Sequence, residues 1–290
     1  MRYRWQIRRA TNFLIHAERI LTPRDGQIEA KGRQVEIGKY IRPLLRLMLK
    51  LANRYPEEMH ASLFNFGYQM ALLERYKEAI DCWNKAIEIK SNDENTLYNR
   101  GLALANLGKF EEAVASFDKA IEFKPDLHQA WYNRGVALGN LERFEEEIAS
   151  YDKAIEFKGD LHQAWYNRGT ALTNLGRLEE AIASYDKAIE FKVDDHEAWN
   201  NRGIALGNLG RLEEAIASYD KAIEFKVDDH EAWYNKACCY VLQGNVELAL
   251  ENLQQAINLN PEECREWAIT DSDFDSIRQD ERFQALIISG

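Results

Sequence analysis

The sequence predicts an all-α protein, a solenoid built from antiparallel helix pairs. Residues 162–195 recur as 196–229 with four changes, so a unit of thirty-four residues has been copied in register. Within the unit, apolar residues recur at helical spacing in two runs separated by a turn, and only five prolines interrupt the 290-residue chain. Repeats of this kind pack only against their neighbours and form one elongated body.

The four changes lie along one stripe of the first helix. They are Gln163 to Glu197, Tyr166 to Asn200, Thr170 to Ile204 and Thr173 to Gly207. Positions three and four apart share one helix face, so this variable stripe is expected to stay accessible and to carry specificity. The unchanged positions are interpreted as structural.

Composition separates a basic head from an acidic remainder. Residues 1–54 carry thirteen Lys/Arg against four Asp/Glu, whereas the rest carries 24 against 44. The four cysteines show no CxxC spacing and are expected to be reduced core thiols of a cytoplasmic protein. The sequence shows no secretory signal and no apolar run of membrane-spanning length.

Residues 1–59 are predicted to be a basic helical cap or a degenerate repeat. Amphipathic patterns cover 3–21 and 34–54. Such helices can cover the exposed first face of a repeat array. The alternative is an element that associates with anionic lipid or nucleic acid.

From His60 the period holds without a gap. The predicted units are 60–93, 94–127, 128–161, 162–195, 196–229 and 230–263. The recurring residues are Trp165, Gly169, Leu172, Ala181, Tyr185 and Ala188, and then Trp199, Gly203, Leu206, Ala215, Tyr219 and Ala222. This pattern resembles the bacterial type of tetratricopeptide repeat. The resemblance implies a right-handed superhelix whose first helices line a concave groove.

Several positions depart from the repeat pattern, and the pattern ends after the sixth unit. The closing proline survives only as Pro125 and Pro261, and the third unit has Glu142 for the turn glycine and Glu147 for a small alanine. A carboxylate between close helices is costly, so we expect that pair to be splayed. Residues 264–290 resemble the closing tail of such arrays, with Phe274, Ile277, Phe283, Leu286 and Ile287 facing inward.

No catalytic, metal or cofactor site stands out, so an enzyme is not predicted. Five histidines open their repeats, and equivalent atoms are expected about two helix-packing distances of 8–10 Å apart, too far to share a metal. His196 and His230 begin HExxH-like stretches that lack the second histidine.

A ladder of asparagines is the main candidate site. One position holds asparagine in all six units: Asn65, Asn99, Asn133, Asn167, Asn201 and Asn235. It is similar to the ladder that some family members use on extended peptides. An amide offers a donor and an acceptor, which matches a peptide group. The alternative role is a helix-to-helix hydrogen bond inside the array.

Variable-stripe residues complete the predicted peptide-binding set. They are Tyr98, Tyr132, Tyr166, Tyr234, Gln129, Gln163 and Glu197. Exposed tyrosines give rigid contact area with a polar tip.

Two further rows have structural explanations. Asn106, Asn140, Asn174 and Asn208 end the first helices and suit turn chemistry. Arg100, Arg134, Arg168, Arg202 and Lys236 are expected to pair with Asp118, Asp152, Asp186 and Asp220, or else to recognise acidic ligands.

The predicted function is therefore a non-enzymatic scaffold or adaptor that binds an extended protein segment in its groove. One alternative is a regulator acting through the basic head on anionic lipid or nucleic acid. The other is the interaction part of a larger effector enzyme. The partner's identity and the oligomeric state are left open.

Overall fold

The computed structural model describes residues 41–288 and divides into two compact units, Met1–Arg143 and Phe144–Gly290. Within the described residues every regular element is helical, so the all-α prediction is confirmed. None of the helices in this range has the length and apolar character needed to cross a membrane. The helix predicted over 3–21 lies outside the described residues.

The helices follow the predicted pairs. The first unit has a leading helical segment, 41–52, and then α1 Pro56–Leu72, α2 Tyr76–Ile89, α3 Glu94–Asn106, α4 Phe110–Phe123 and α5 His128–Gly139. The second unit has α6 Phe144–Phe157, α7 His162–Asn174, α8 Leu178–Phe191, α9 His196–Asn208, α10 Leu212–Phe225, α11 His230–Leu242, α12 Val246–Leu259, α13 Pro261–Thr270, a 3-10 helix Ser272–Ile277 and α14 Glu281–Ile288. Within each unit, consecutive helices pack on one another.

Paired helices approach closely at a glycine that faces an aromatic ring. A Cβ placed on Gly169 would lie 2.7 Å from the ring of Tyr185, and one on Gly101 would lie 2.5 Å from the ring of Phe117. Carbon atoms pack at about 3.5–4.0 Å, so no side chain fits at these positions. Glycine at these positions is therefore required for the close approach of the paired helices.

The turn between paired helices requires a left-handed residue. Gly108, Gly176, Gly210 and Gly244 have φ between 71° and 75°. Glu74 and Glu142 occupy the same place with φ of 57°. A side chain in this region crowds the backbone and costs about 1–2 kcal/mol, so two of the turns carry strain.

In the third to sixth repeats, a tryptophan of the first helix donates a hydrogen bond to the backbone of the preceding loop. The indole nitrogens of Trp165, Trp199 and Trp233 lie 2.8–3.0 Å from the carbonyl oxygens of residues 159, 193 and 227. In the first unit Trp131 bonds the carbonyl of Pro125 at 2.8 Å. A backbone acceptor does not depend on the side chain, which explains how glycine and valine replace the closing proline.

Both ends of the described chain cover a hydrophobic face. Ile41, Leu45 and Met48 of the leading segment share a buried cluster with Met59 and Leu63 of α1. Residues 41–52 therefore pack as the predicted cap would, while the assignment of 1–59 as a cap or degenerate repeat stays a prediction.

The C-terminal tail packs against α11 and α12. Phe274, Ile277 and Phe283 are buried, with Leu286 and Ile287 packed beside them, as expected for inward-facing residues. Trp267 follows Trp233 by one period of thirty-four residues, so α13 takes the place of the first helix of a further repeat.

The second unit begins with a buried carboxyl. Glu147 in α6 is 8% exposed, whereas Ala113 and Ala181 at the same place are fully buried. Burial raises the pKa of Glu147 to about 7, against the opposing effect of a hydrogen bond with Tyr151. The predicted splaying of the third pair concerns helices of different units and stays a prediction.

Candidate functional site

The cations on the first helices form ion pairs with the second helix of the preceding repeat. The distances between nitrogen and carboxylate oxygen are 2.6–2.7 Å. The pairs are Arg134–Asp118, Arg168–Asp152, Arg202–Asp186 and Lys236–Asp220. Arg100 bonds the side-chain oxygen of Asn84 at 2.6 Å, because the first repeat has asparagine at the aspartate position. The predicted structural pairing is confirmed.

The arginines have a second set of contacts within their own repeat. Arg168 donates to the hydroxyl of Ser184 at 2.6 Å, and Arg202 donates to that of Ser218 at 2.7 Å. The guanidinium of Arg168 also lies 6.0 Å from the centre of the Trp165 ring. These charges are neutralised and held in place, so they are poorly suited to recognising an acidic ligand.

The ladder asparagines join neighbouring first helices. Asn133 Nδ2 lies 3.1 Å from the hydroxyl of Tyr98, and Asn201 Nδ2 lies 2.9 Å from the hydroxyl of Tyr166. The helix-to-helix hydrogen bond that was the alternative role is therefore present. Contact of the ladder with a peptide stays a prediction.

The other ladder asparagines differ in their hydrogen-bond partners and in their exposure. Asn235 Nδ2 lies 3.3 Å from the side-chain oxygen of Asn200, which takes the place of the tyrosine. Asn99 donates to the carbonyl of Asn95 in its own helix at 2.8 Å. Asn65 is exposed, and Asn167 is half-buried.

Three of the four candidate tyrosines are half-buried: Tyr98, Tyr132 and Tyr166. The Tyr166 ring tilts against Tyr185 with the ring centres 6.1 Å apart. The pKa of Tyr166 is raised to about 12, mainly by burial and then by the nearby charge of Glu197. Each ring thus rests on the repeat core while part of it stays accessible.

For Tyr234 the expectation of an exposed tyrosine is wrong. Its side chain is 5% exposed, and its hydroxyl donates to Asp271 at 3.0 Å. The ring also meets Trp267 edge-on, with the ring centres 5.2 Å apart. The tail that follows the sixth repeat covers this position, so Tyr234 belongs to the core.

The variable stripe is accessible at its start and becomes a packing surface further along. Gln129, Gln163 and Glu197 are exposed, whereas Asn200 is 5% exposed. Thr173 bonds the hydroxyl of Tyr185 at 3.2 Å. The expectation that the whole stripe is a free lining is therefore corrected, because Thr173 contacts the second helix of its own repeat and Asn200 contacts the next first helix.

Direct contact between α7 and α9 also changes the predicted spacing. Helices in contact lie about 8–10 Å apart, so first helices of adjacent repeats are separated by one packing distance rather than two. Histidines at equivalent places, such as His162 and His196, are still too far apart to share a metal with bonds of about 2 Å.

One group of possible metal ligands has internal partners. Cys238, Asp271 and Asp273 place donor atoms within 4.8 Å of one another. The carboxylate of Asp271 accepts hydrogen bonds from Tyr234 and from the backbone nitrogen of Asp273, the latter at 3.0 Å. Burial raises the pKa of the Cys238 thiol far above its usual range, which disfavours the thiolate that binds metals. The contacts account for this cluster as the cap of the 3-10 helix.

Sequence reasoning missed two contacts of the site. A helix-to-helix hydrogen bond was foreseen as the alternative role of the ladder, but its partners were not: Asn133, Asn201 and Asn235 bond the variable-stripe residues Tyr98, Tyr166 and Asn200 of the preceding repeat. The covering of Tyr234 by Trp267 was also missed, although the thirty-four-residue interval from Trp233 to Trp267 was a signal for it.

Profiles of a known repeat match most of this array. Those described as TPR repeat match residues 67–108 and 169–210, and those described as tetratricopeptide repeat match 95–127, 128–160, 196–229 and 230–263. Together they cover well over half of the chain. The chain belongs to the tetratricopeptide repeat (TPR) family. TPR repeats are generally non-enzymatic interaction modules, and the chain is a protein–protein interaction scaffold.

Solved TPR structures share this fold. YrrB, described as a TPR protein with an unusual peptide-binding site, is 29% identical, with a TM-score of 0.57 over 62% of this chain and 93% of YrrB. MamA from Desulfovibrio magneticus RS-1 is 22% identical, with a TM-score of 0.56 over 59% of this chain and 96% of that one.

A longer stretch matches a Cytophaga hutchinsonii protein. The C-terminal part of this TPR repeat-containing protein is 18% identical, with a TM-score of 0.65 over 78% of this chain and 94% of that one. No curated protein matches the chain.

Proposed function

We propose that the chain is a non-enzymatic TPR adaptor that binds an extended protein segment along the first helices of its repeats. The observation behind this proposal is that ladder amides are held through their nitrogen by the preceding repeat. No described residue donates a hydrogen bond to the side-chain oxygens of Asn133 and Asn201. A fixed acceptor of this kind matches the N–H of a peptide group.

Pre-orientation favours binding because a held amide loses little freedom when a ligand arrives. Each hydrogen bond to a peptide group contributes about 0.5–1.5 kcal/mol. The exposed Gln129, Gln163 and Glu197 lie one helical turn before ladder residues and supply contacts that differ between repeats. YrrB, which is described as having a peptide-binding site, supports a peptide ligand by similarity.

The test is partner capture from a native extract. We expect a double variant, Asn133→Ala with Asn201→Ala, to lose partners that the unmodified chain captures. The control is Asn106→Ala with Asn140→Ala, because those amides bond carbonyls of their own helices at 2.8 Å. Equal capture by the unmodified chain and both double variants would contradict the proposal, provided that urea unfolding shows all three to be folded.

The basic head supports a second candidate. Residues 1–54 carry a marked excess of Lys/Arg, which favours association with anionic lipid or nucleic acid. Binding of this kind weakens steeply as salt rises, whereas binding by neutral amides does not. A salt titration of captured partners, with and without Arg2, Arg4, Arg8 and Arg9 changed to Gln, distinguishes the two modes.

A cytoplasmic location is also proposed. Its support is that all four cysteines, which lie within the described residues, are buried and unpaired, as is usual in a reducing compartment. Labelling of the native cell fractions with an antibody to the chain tests this location.

A further inference from the structure

The charges on the first helices of repeats four to six are unevenly satisfied. These helices, α7, α9 and α11, carry five charged residues: Arg168, Arg202, Lys236, Glu197 and Glu231. The three cations are paired with aspartates on second helices at 2.6–2.7 Å. Their side chains are 14–19% exposed. They are therefore largely withdrawn from solvent and from any ligand.

The two carboxylates have no such partners. Glu197 and Glu231 are exposed, and neither forms an ion pair with a described residue. The same position holds neutral Gln129 and Gln163 in the third and fourth repeats. Negative charge is thus confined to the last two repeats of this row.

Glu197 lies beside the proposed peptide ladder. Glu197 precedes Asn201 by one turn of the same helix, and the amide of Asn201 donates a hydrogen bond to the hydroxyl of Tyr166 at 2.9 Å. A carboxylate, a phenol and an amide therefore share one place on adjoining first helices. The carboxylate and the phenol can accept hydrogen bonds from an ammonium or guanidinium group of a ligand. The side-chain oxygen of Asn201 can accept one from a peptide N–H of the same ligand.

We infer that the bound segment carries two basic residues, three positions apart, that pair with Glu197 and Glu231. This inference rests on the proposed function, since it assigns the chemistry of the ligand for the same surface. Neighbouring first helices in contact lie about 8–10 Å apart. A polyproline II segment rises about 3.1 Å per residue with three residues per turn, so side chains three apart point the same way about 9 Å apart.

The test uses a synthetic probe, Pro-Pro-Lys-Pro-Pro-Lys-Pro-Pro, with a fluorescent N-terminal label and fluorescence anisotropy as the readout. Companion probes replace both lysines with Gln or with Glu, or separate them by five positions. We expect the Lys probe to bind most tightly to the full chain. Its affinity should fall as salt is raised from low to physiological concentration.

Matched variants locate the interaction. Glu197→Gln with Glu231→Gln copies the residue of the third and fourth repeats and should weaken the Lys probe about 2- to 30-fold. Glu145→Gln with Glu179→Gln removes the same charge from exposed positions on second helices and should leave its affinity unchanged. Equal loss in both double variants would assign binding to overall negative charge and overturn the inference.

The outcomes separate this inference from the proposed function. If the Lys probe fails to bind, or binds equally well to the Glu197/Glu231 variant, the inference is overturned. If Asn201→Ala still weakens the Gln probe or reduces partner capture in that case, the adaptor function stands. If neither probe nor capture responds to Asn201→Ala or to the double asparagine variant, both proposals fall.

Discussion

Replacing Glu147 by Ala is expected to stabilise the protein. Alanine stands at this place in the other five repeats, and Ala113, Ala181 and Ala215 are fully buried. Glu147 instead keeps a carboxyl group at 8% exposure, where burial raises its pKa from 4.5 to about 7. The ionised form is therefore penalised in the folded chain.

The magnitude follows from that pKa and depends on pH. The folded chain holds its proton more tightly than the unfolded chain, so stability falls as pH rises from about 4.5 to about 7 and then levels off. The shift from 4.5 to about 7 is about 2.5 pKa units, and at about 1.4 kcal/mol per unit the penalty above pH 7 is about 3.5 kcal/mol. Glu147→Ala should recover most of it at pH 8 and little of it near pH 4.5.

The assay is urea unfolding followed by circular dichroism at pH 5 and pH 8, with midpoints compared at unchanged slope. The control is Glu145→Ala, two residues away in the same helix but exposed, which should change stability by less than about 0.5 kcal/mol at both pH values. A gain from Glu147→Ala that is the same at both pH values, or a loss at pH 8, would refute the reasoning.

Three further changes test the repeat geometry, each measured as a urea midpoint. Glu142→Gly relieves a φ of 57° and should stabilise by about 1 kcal/mol, and Glu142→Ala should not. Gly169→Ala places a Cβ 2.7 Å from the Tyr185 ring and should destabilise by about 1–3 kcal/mol, whereas Gly159→Ala, with its nearest neighbour at 3.9 Å, should be neutral. Trp199→Phe removes the 2.8 Å bond to the carbonyl of Val193 and should cost at least about 1 kcal/mol, while Val193→Ala should be tolerated.

Much of the fold follows from the sequence because it depends on local periodicity. The two apolar runs of each unit became helix pairs, and the glycines opposite aromatic residues became close contacts, as in Gly169 and Tyr185. The pairing of Arg168 with Asp152 was also foreseeable, since both recur at one position in successive units. Because the units repeat in register, residues that share a repeat position occupy equivalent places in successive helix pairs.

The candidate site was less predictable because it depends on how repeats adjoin. The sequence placed Asn201 and Tyr166 on similar faces but gave no distance between their helices, so Tyr166 could not be named as the partner in the 2.9 Å bond. Tyr234 looked like its counterparts in earlier repeats until the tail that covers it was located. Neighbours that do not repeat, such as Asp271, cannot be inferred from the repeat itself.

The hydrogen bond from each of these tryptophans to the preceding loop bears on how a repeat array can be lengthened by duplication. Because each indole bonds a main-chain oxygen, a newly duplicated cassette meets a suitable acceptor at once, whatever amino acid happens to sit there. Duplication of the gene segment that encodes a whole unit therefore keeps this hydrogen bond at the new junction, and no compensating mutation is needed. Duplication of this kind is expected to produce nearly identical neighbouring units, such as 162–195 and 196–229.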